Sequence, residues 1–116
     1  MLKRENRLAA RRDFDTLFKR GRATFGANFV VKAARRPGEG VCRVAFVVGT
    51  KVSKDAVVRN RLRRRMREVV RLVFAGMSPG FDVMVSAKGV AAGRLEYAAV
   101  ADEVLALLRK AGVLAA

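Results

Sequence analysis

The stretch KVSKDAVVRNRLRRRMREVVR, residues 51–71, governs the reading of the chain, because it sets nine basic and two acidic residues on a helical period. Asp55 stands just ahead of the pattern, where an N-cap carboxylate accepts from the first free N–H groups of a helix. Val58, Leu62, Met66, Val69 and Val73 then recur at intervals of three and four, and the spacing predicts a helix from Asp55 to Phe74. Turned at about 100° per residue with Leu62 at zero, Val58, Leu62, Met66, Val69, Val70 and Val73 share an arc from about −40° to +80°, a face fit for a core. Arg63, Arg67, Asn60, Arg71 and Arg64 fall between about 100° and 200° on the far side. Arg61, Arg65 and Glu68 take the remaining flank, and Arg59 sits at the core edge.

A solvated helix face ordinarily mixes signs, so that acids and bases pair three or four residues apart. Here Glu68 faces seven arginines. Like charges crowded in this way oppose folding until a polyanion neutralises them, and arginine is the side chain that grips a phosphate with two hydrogen bonds at once. The face therefore reads as a surface for phosphates.

Upstream, Phe14, Leu17 and Phe18 mark one face of a short helix over Ala10 to Arg20, with Gly21 as its stop. Asn28 to Arg35 and Val41 to Gly49 read as two β-runs, and Pro37-Gly38-Glu39-Gly40 between them as a hairpin turn. Residues 22–26 read as a short strand ahead of these. Downstream, Met77-Ser78-Pro79-Gly80 stops the basic helix and Phe81 to Lys88 reads as a strand. Arg94 to Lys110 reads as a last helix, with Tyr97, Val100, Val104, Leu107 and Leu108 on one side and Gly112 beyond. The order α-β-β-β-α-β-α describes an α+β chain of 116 residues without repeat, low-complexity tract or linker, hence a single domain.

The charge is unevenly placed. Of a net +15, residues 1–22 carry +5, residues 23–50 carry +3, residues 51–71 carry +7 and residues 72–116 none. A hydrophobic share of 52% is too high for a disordered polycation and sufficient for a core. The chain has no His, which excludes a His-based triad and a His-ligated zinc site. Its single Cys, Cys42, lies in an apolar run and reads as a buried structural thiol. Asp13 and Asp15, two apart on a helix, point about 200° from each other, the wrong arrangement for paired acid and base work. The longest uncharged stretch, the ten residues Leu72 to Phe81, is about half of what a bilayer crossing needs. The N-terminal M-L-K-R-E-N-R has no apolar h-region, so the expected home is the cytoplasm.

The A-V-x-R-N-R-x-(K/R)-R-x-x-R-E pattern met by Ala56, Val57, Arg59, Asn60, Arg61, Arg63, Arg64, Arg67 and Glu68 closely resembles the signature of the protein subunit of bacterial ribonuclease P. The resemblance extends to the block holding Arg7, Leu8, Asp13, Phe14, Phe18 and Gly21, and to the V-M-V-S-A-K strand, and so covers most of the chain. It implies a two-layer α/β sandwich of ribosomal-protein type, in which a left-handed βαβ crossover presents the arginine helix. It also implies a subunit of the endoribonuclease that removes the 5′ leader of precursor tRNA, whose catalyst is an RNA. No catalytic residue and no bound cofactor or metal is expected of the protein itself, and Mg2+ is expected for the RNA-containing holoenzyme. The implied partners are the catalytic RNA and precursor tRNA, with no membrane and no obligatory protein partner.

By the same resemblance Arg7, Arg11, Arg12, Lys51, Lys54, Arg59, Asn60, Arg61, Arg63, Arg64, Arg67 and Arg71 are the expected RNA-binding set. Phe14, Phe18, Val30, Lys32 and Lys88 are the expected leader-binding cleft. Phe14 and Phe18, four apart, also fit an ordinary core helix. The chain departs from the family in three places. Lys32 stands where many members carry an aromatic, which exchanges stacking for a phosphate contact. Residues 49–57 run one residue longer than usual, which leaves the counterparts of Lys51 and Lys54 open. Ala87 precedes Lys88 where two bases are common. The alternative is a structural RNA-binding protein of ribosomal or nucleoid type, which shares the basic composition but not the coupling of this motif to the Phe14 and Phe18 helix.

Overall fold

Local periodicity sets most elements of the computed structural model, which describes residues 3–36 and 40–115. They are α1 (Arg11–Arg20), β1 (Arg22–Phe25), β2 (Phe29–Arg35), β3 (Arg43–Val47), α2 (Ala56–Val73), β4 (Phe81–Ala87) and α3 (Tyr97–Lys110). The expected order is met, with two differences at the edges. Val90–Arg94 form a 3-10 turn ahead of α3, which leaves Tyr97 in its first turn and 37% exposed instead of in the core. Gly21 does end α1, but with an extended backbone; a Cβ there would lie 2.3 Å from the Leu17 carbonyl oxygen, so close approach is what requires the glycine.

The sheet runs β1-β2-β4-β3. β2 pairs antiparallel with β1 on one side and β4 on the other, while β3 lies parallel to β4. The hairpin expected between β2 and β3 is therefore not formed, and Pro37 to Glu39 of its expected turn lie outside the described residues. β4 takes the place between them because it is buried on both faces: Val83 and Val85 on one, Met84 and the ion-paired Asp82 on the other, as befits a central strand. The hairpin that does form joins β1 to β2. β3 reaches β4 through α2, the long connection that parallel neighbours require.

One face of the sheet carries Phe29, Val31, Ala33, Val44, Val83 and Val85. Against it α2 places Leu62, Met66, Val69 and Val70, and α3 places Val100, Val104, Leu107 and Leu108. These are the two layers of the sandwich, at roughly 1.5–3 kcal/mol for each large apolar side chain fully buried. The other face is only partly covered. Leu17 of α1 joins Leu8, Ala45 and Met84, with Phe14 and Ala34 packed at the margin. The register places Phe25, Val30, Ser86 and Val47 side by side in a row across all four strands, and Phe25 and Val47 at its ends are 68% and 41% exposed.

Candidate functional site

Two adjoining surfaces hold the residues singled out by the sequence. The first is α2, whose start is capped by Asp55: its Oδ1 accepts from the Val57 N–H at 2.9 Å. Four of the arginines are tied to the protein. Arg59 Nη1 donates to the Ser53 carbonyl at 2.9 Å, and Arg63 to Asn60 Oδ1 at 2.7 Å and the Val48 carbonyl at 3.3 Å. Arg65 donates to the Leu95 carbonyl at 2.6 Å, which stitches α2 to the turn before α3. Arg71 donates twice to Glu68, at 2.6 and 2.9 Å, and this pairing raises the guanidinium pKa and lowers that of the carboxyl.

Arg61, Arg64 and Arg67 have no hydrogen bond or ion pair to any described residue. Partial burial, with Arg63, Arg7 and Arg64 close by, holds the Arg67 guanidinium below its ordinary value. Arg7 arrives there because its segment runs along the outer edge of β3: it bridges to Val44, and the Leu8 N–H donates to the Val44 carbonyl at 3.0 Å. A cavity of about 390 Å³ between this segment, α1 and α2 is lined by Arg7, Phe14, Phe46 and Arg67 among others. Arg11 and Arg12 are exposed in the first turn of α1, and Lys51 and Lys54 on the loop between β3 and α2.

The second surface is the half-covered sheet face. Phe18 is 56% exposed, so it does not belong to the core, whereas Phe14 is half-buried and serves both cluster and cavity. Lys32 Nζ lies 5.1 Å from the Phe18 ring centroid and donates to the Phe18 carbonyl at 3.0 Å. That bond holds the lysine at the C-terminal end of α1, where the helix dipole favours a cation. Val30 is half-buried in the row beside α1, and Lys88 stands at its β1 end with Nζ 5.8 Å from the Phe25 ring. Phe25 and Val47 were missed from sequence. The signal for Phe25 was the alternation of β1, where Thr24 turns inward and its neighbour must turn out.

Two acids near this surface, Asp13 and Asp82, are engaged. Asp82, buried, takes Arg43 at 2.8 and 2.9 Å and Arg36 at 2.6 Å, and Arg43 reaches on to Asp13 at 3.2 Å. The hydrogen bond to Asp82, more than any other cause, raises the Arg43 pKa. Arg43 thus moors α1 to the sheet and leaves Asp13 and Asp82 ion-paired.

Fold and site together define a basic single-domain α+β protein that presents arginines and exposed aromatic rings on two adjoining surfaces. The model of the Ribonuclease P family matches residues 2–112. The ribonuclease P protein component of a Synechococcus strain is 38% identical over 119 residues, spanning 98% of this chain and 87% of the relative. That of Geobacillus kaustophilus is 33% identical over 111 residues, 96% of this chain and 90% of the relative. The RNase P protein from Thermotoga maritima has a similar structure, with a TM-score of 0.77 at 31% identity over 90% of this chain and 96% of that one. The Staphylococcus aureus RNase P protein, at 23% identity and a TM-score of 0.85 over 94% of this chain and 97% of that one, shares the fold. The chain belongs to the ribonuclease P protein family. It is accordingly a subunit of that endoribonuclease, and its partner there is the ribonuclease P RNA.

Proposed function

We propose that the arginine surface docks on the catalytic RNA and that the half-covered sheet face holds the single-stranded 5′ leader of precursor tRNA, so that the protein assists removal of the leader. The observation that carries this is the adjacency of the two surfaces. Arg61, Arg64 and Arg67, without partners among the described residues, and the neighbouring Arg7 offer guanidinium forks to phosphates. Arg11, Arg12, Lys51 and Lys54 extend the field around them, while Arg59, Asn60, Arg63 and Arg71 fix its shape. On this reading Phe14 and Phe18 of α1 and Val30 of the open sheet face form a groove beside it, with Lys32 and Lys88 as its cations. Such a groove holds single-stranded RNA by stacking and charge without reading sequence.

On this reading the bond is broken by the RNA and its magnesium ions. Asp13 and Asp82 are paired with arginine and Glu68 with Arg71, and among the described residues no three acids gather at one place, which does not fit a magnesium cage of clustered free carboxylates and water. The protein then works in the cytoplasm. Reconstitution with a bacterial ribonuclease P RNA at low magnesium is the test: the chain restores precursor tRNA cleavage and a ribosomal RNA-binding protein does not. Failure to restore cleavage, or cleavage by rigorously RNA-free protein, overturns the proposal.

A further inference from the structure

We infer that Phe25, with Lys88 beside it, is a base-stacking station at the β1 edge of the sheet, which extends the track for single-stranded RNA beyond the groove under α1. The inference rests on the leader-binding reading above. Phe25 is a large ring, 68% exposed, on an edge strand, where an exposed apolar group invites association. The register makes it the end of the open row Phe25, Val30, Ser86, Val47. Three interstrand steps of about 4.8 Å make that row roughly 14 Å long, more than one stacked base can occupy. At the far end lies β3, the edge strand along which Arg7 runs and beside which Arg7 and Arg67 line one cavity, so the row runs from the β1 edge toward the arginine surface.

The station is held rigid. The Gly26 N–H donates to the Phe29 carbonyl at 2.8 Å, and Glu103 of α3 accepts from Asn28 N at 2.8 Å, Asn28 Nδ2 at 2.9 Å and Phe29 N at 2.7 Å. A Cβ on Gly26 would lie 2.6 Å from Glu103 Oε2, so the turn is pressed against that carboxylate. The Lys88 N–H in turn donates to the Asn28 carbonyl at 2.9 Å. The backbones of ring and cation are therefore fixed to the same anchored turn, and little ordering is left to oppose binding. A nucleotide fits this pair by its chemistry, with the base on the ring and the phosphate on the ammonium.

The test uses the enzyme reconstituted with a bacterial ribonuclease P RNA, and precursor tRNAs whose leaders lengthen one nucleotide at a time. With unaltered protein, affinity rises with leader length until the track is full. Phe25→Leu, apolar but without a ring, loses the final increment by roughly 5-fold or more, with affinity for mature tRNA and for short leaders unchanged; Phe25→Tyr keeps it. An abasic nucleotide at that leader position weakens the unaltered complex by the same factor and has no effect on the Phe25→Leu complex, the non-additivity expected of two groups that touch. A loss independent of leader length, or none, overturns the station. So does sedimentation showing Phe25 buried between two copies of the chain in a dimer that Phe25→Leu dissociates. Leader length without effect in unaltered protein removes the leader-binding reading itself, and the station with it.

Discussion

At the residue scale, Glu103 and Cys42 show how differently single side chains contribute. Glu103 reads from sequence as one more acid on the last helix, yet it accepts three hydrogen bonds from the β1–β2 turn. Glu103→Ala strands two backbone N–H groups, and the expected cost is about 2–3 kcal/mol, read as a lower urea midpoint. Leader affinity falls with it, because the turn that carries Phe25 is no longer anchored. Cys42 is buried as its apolar setting implied, and burial pushes its thiol up to about 11 from an ordinary 9.0. Between those values the unfolded chain has given up the proton and the folded one retains it. The stability this supplies is complete below pH 9.0 and disappears as pH rises through about 11. Urea titrations across that range should show the advantage of unaltered protein over Cys42→Ala shrinking with pH; an advantage that holds constant would mean the thiol is not desolvated.

At the element scale, α2 divides its arginines between structure and RNA. The core face read from periodicity holds, with Leu62, Met66, Val69 and Val70 buried and Val58 and Val73 at the margins. Which arginines are occupied was not legible. Ser53, Val48 and Leu95, which accept from Arg59, Arg63 and Arg65, come from a preceding loop, the end of β3 and a turn beyond β4. Helical angle alone cannot tell such partners from solvent. The division predicts distinct phenotypes. Arg64→Ala with Arg67→Ala should weaken binding to the catalytic RNA and lower its salt slope by about one for each phosphate no longer neutralised, with thermal stability intact. Arg65→Ala should lower the melting temperature and leave that slope alone. The α1 rings divide in the same way: Phe18→Ala should reduce affinity for leader-bearing substrate and spare mature tRNA, whereas Phe14→Ala, half-buried in the smaller cluster, also destabilises the fold.

At the scale of the whole molecule, the net charge of +15 resolves into a pattern with a physical reason. The neutral segment 72–116 supplies β4 and α3, the central strand and the helix that close the main core, where unpaired charge is costly. The segment carrying +5 supplies α1 beside the open face, and the segment carrying +7 supplies α2, which packs on the opposite face and brings Arg67 to the cavity beside β3. Because the two surfaces adjoin without being the same, docking variants should weaken RNA affinity whether or not a leader is present, and groove variants only when it is. Titrations of the holoenzyme with precursor and mature tRNA separate the two, and matched losses from both sets of variants would merge the surfaces into one.

The amino-acid sequence alone determined the helices, the existence of each strand, the core face of α2 and its arginine face, because these follow from residue spacing over one or two turns. The tertiary structure alone decided that β4 would separate β2 from β3, that the hairpin would be β1–β2, and that Phe25, Val30, Ser86 and Val47 would form a row. The reason is that a strand's period says which side chains share a face, but its neighbours are chosen by burial. β4, whose side chains from Asp82 to Val85 are buried on both sides, had to lie in the middle, and that choice lined up residues up to 61 positions apart, from Phe25 to Ser86, on one open surface.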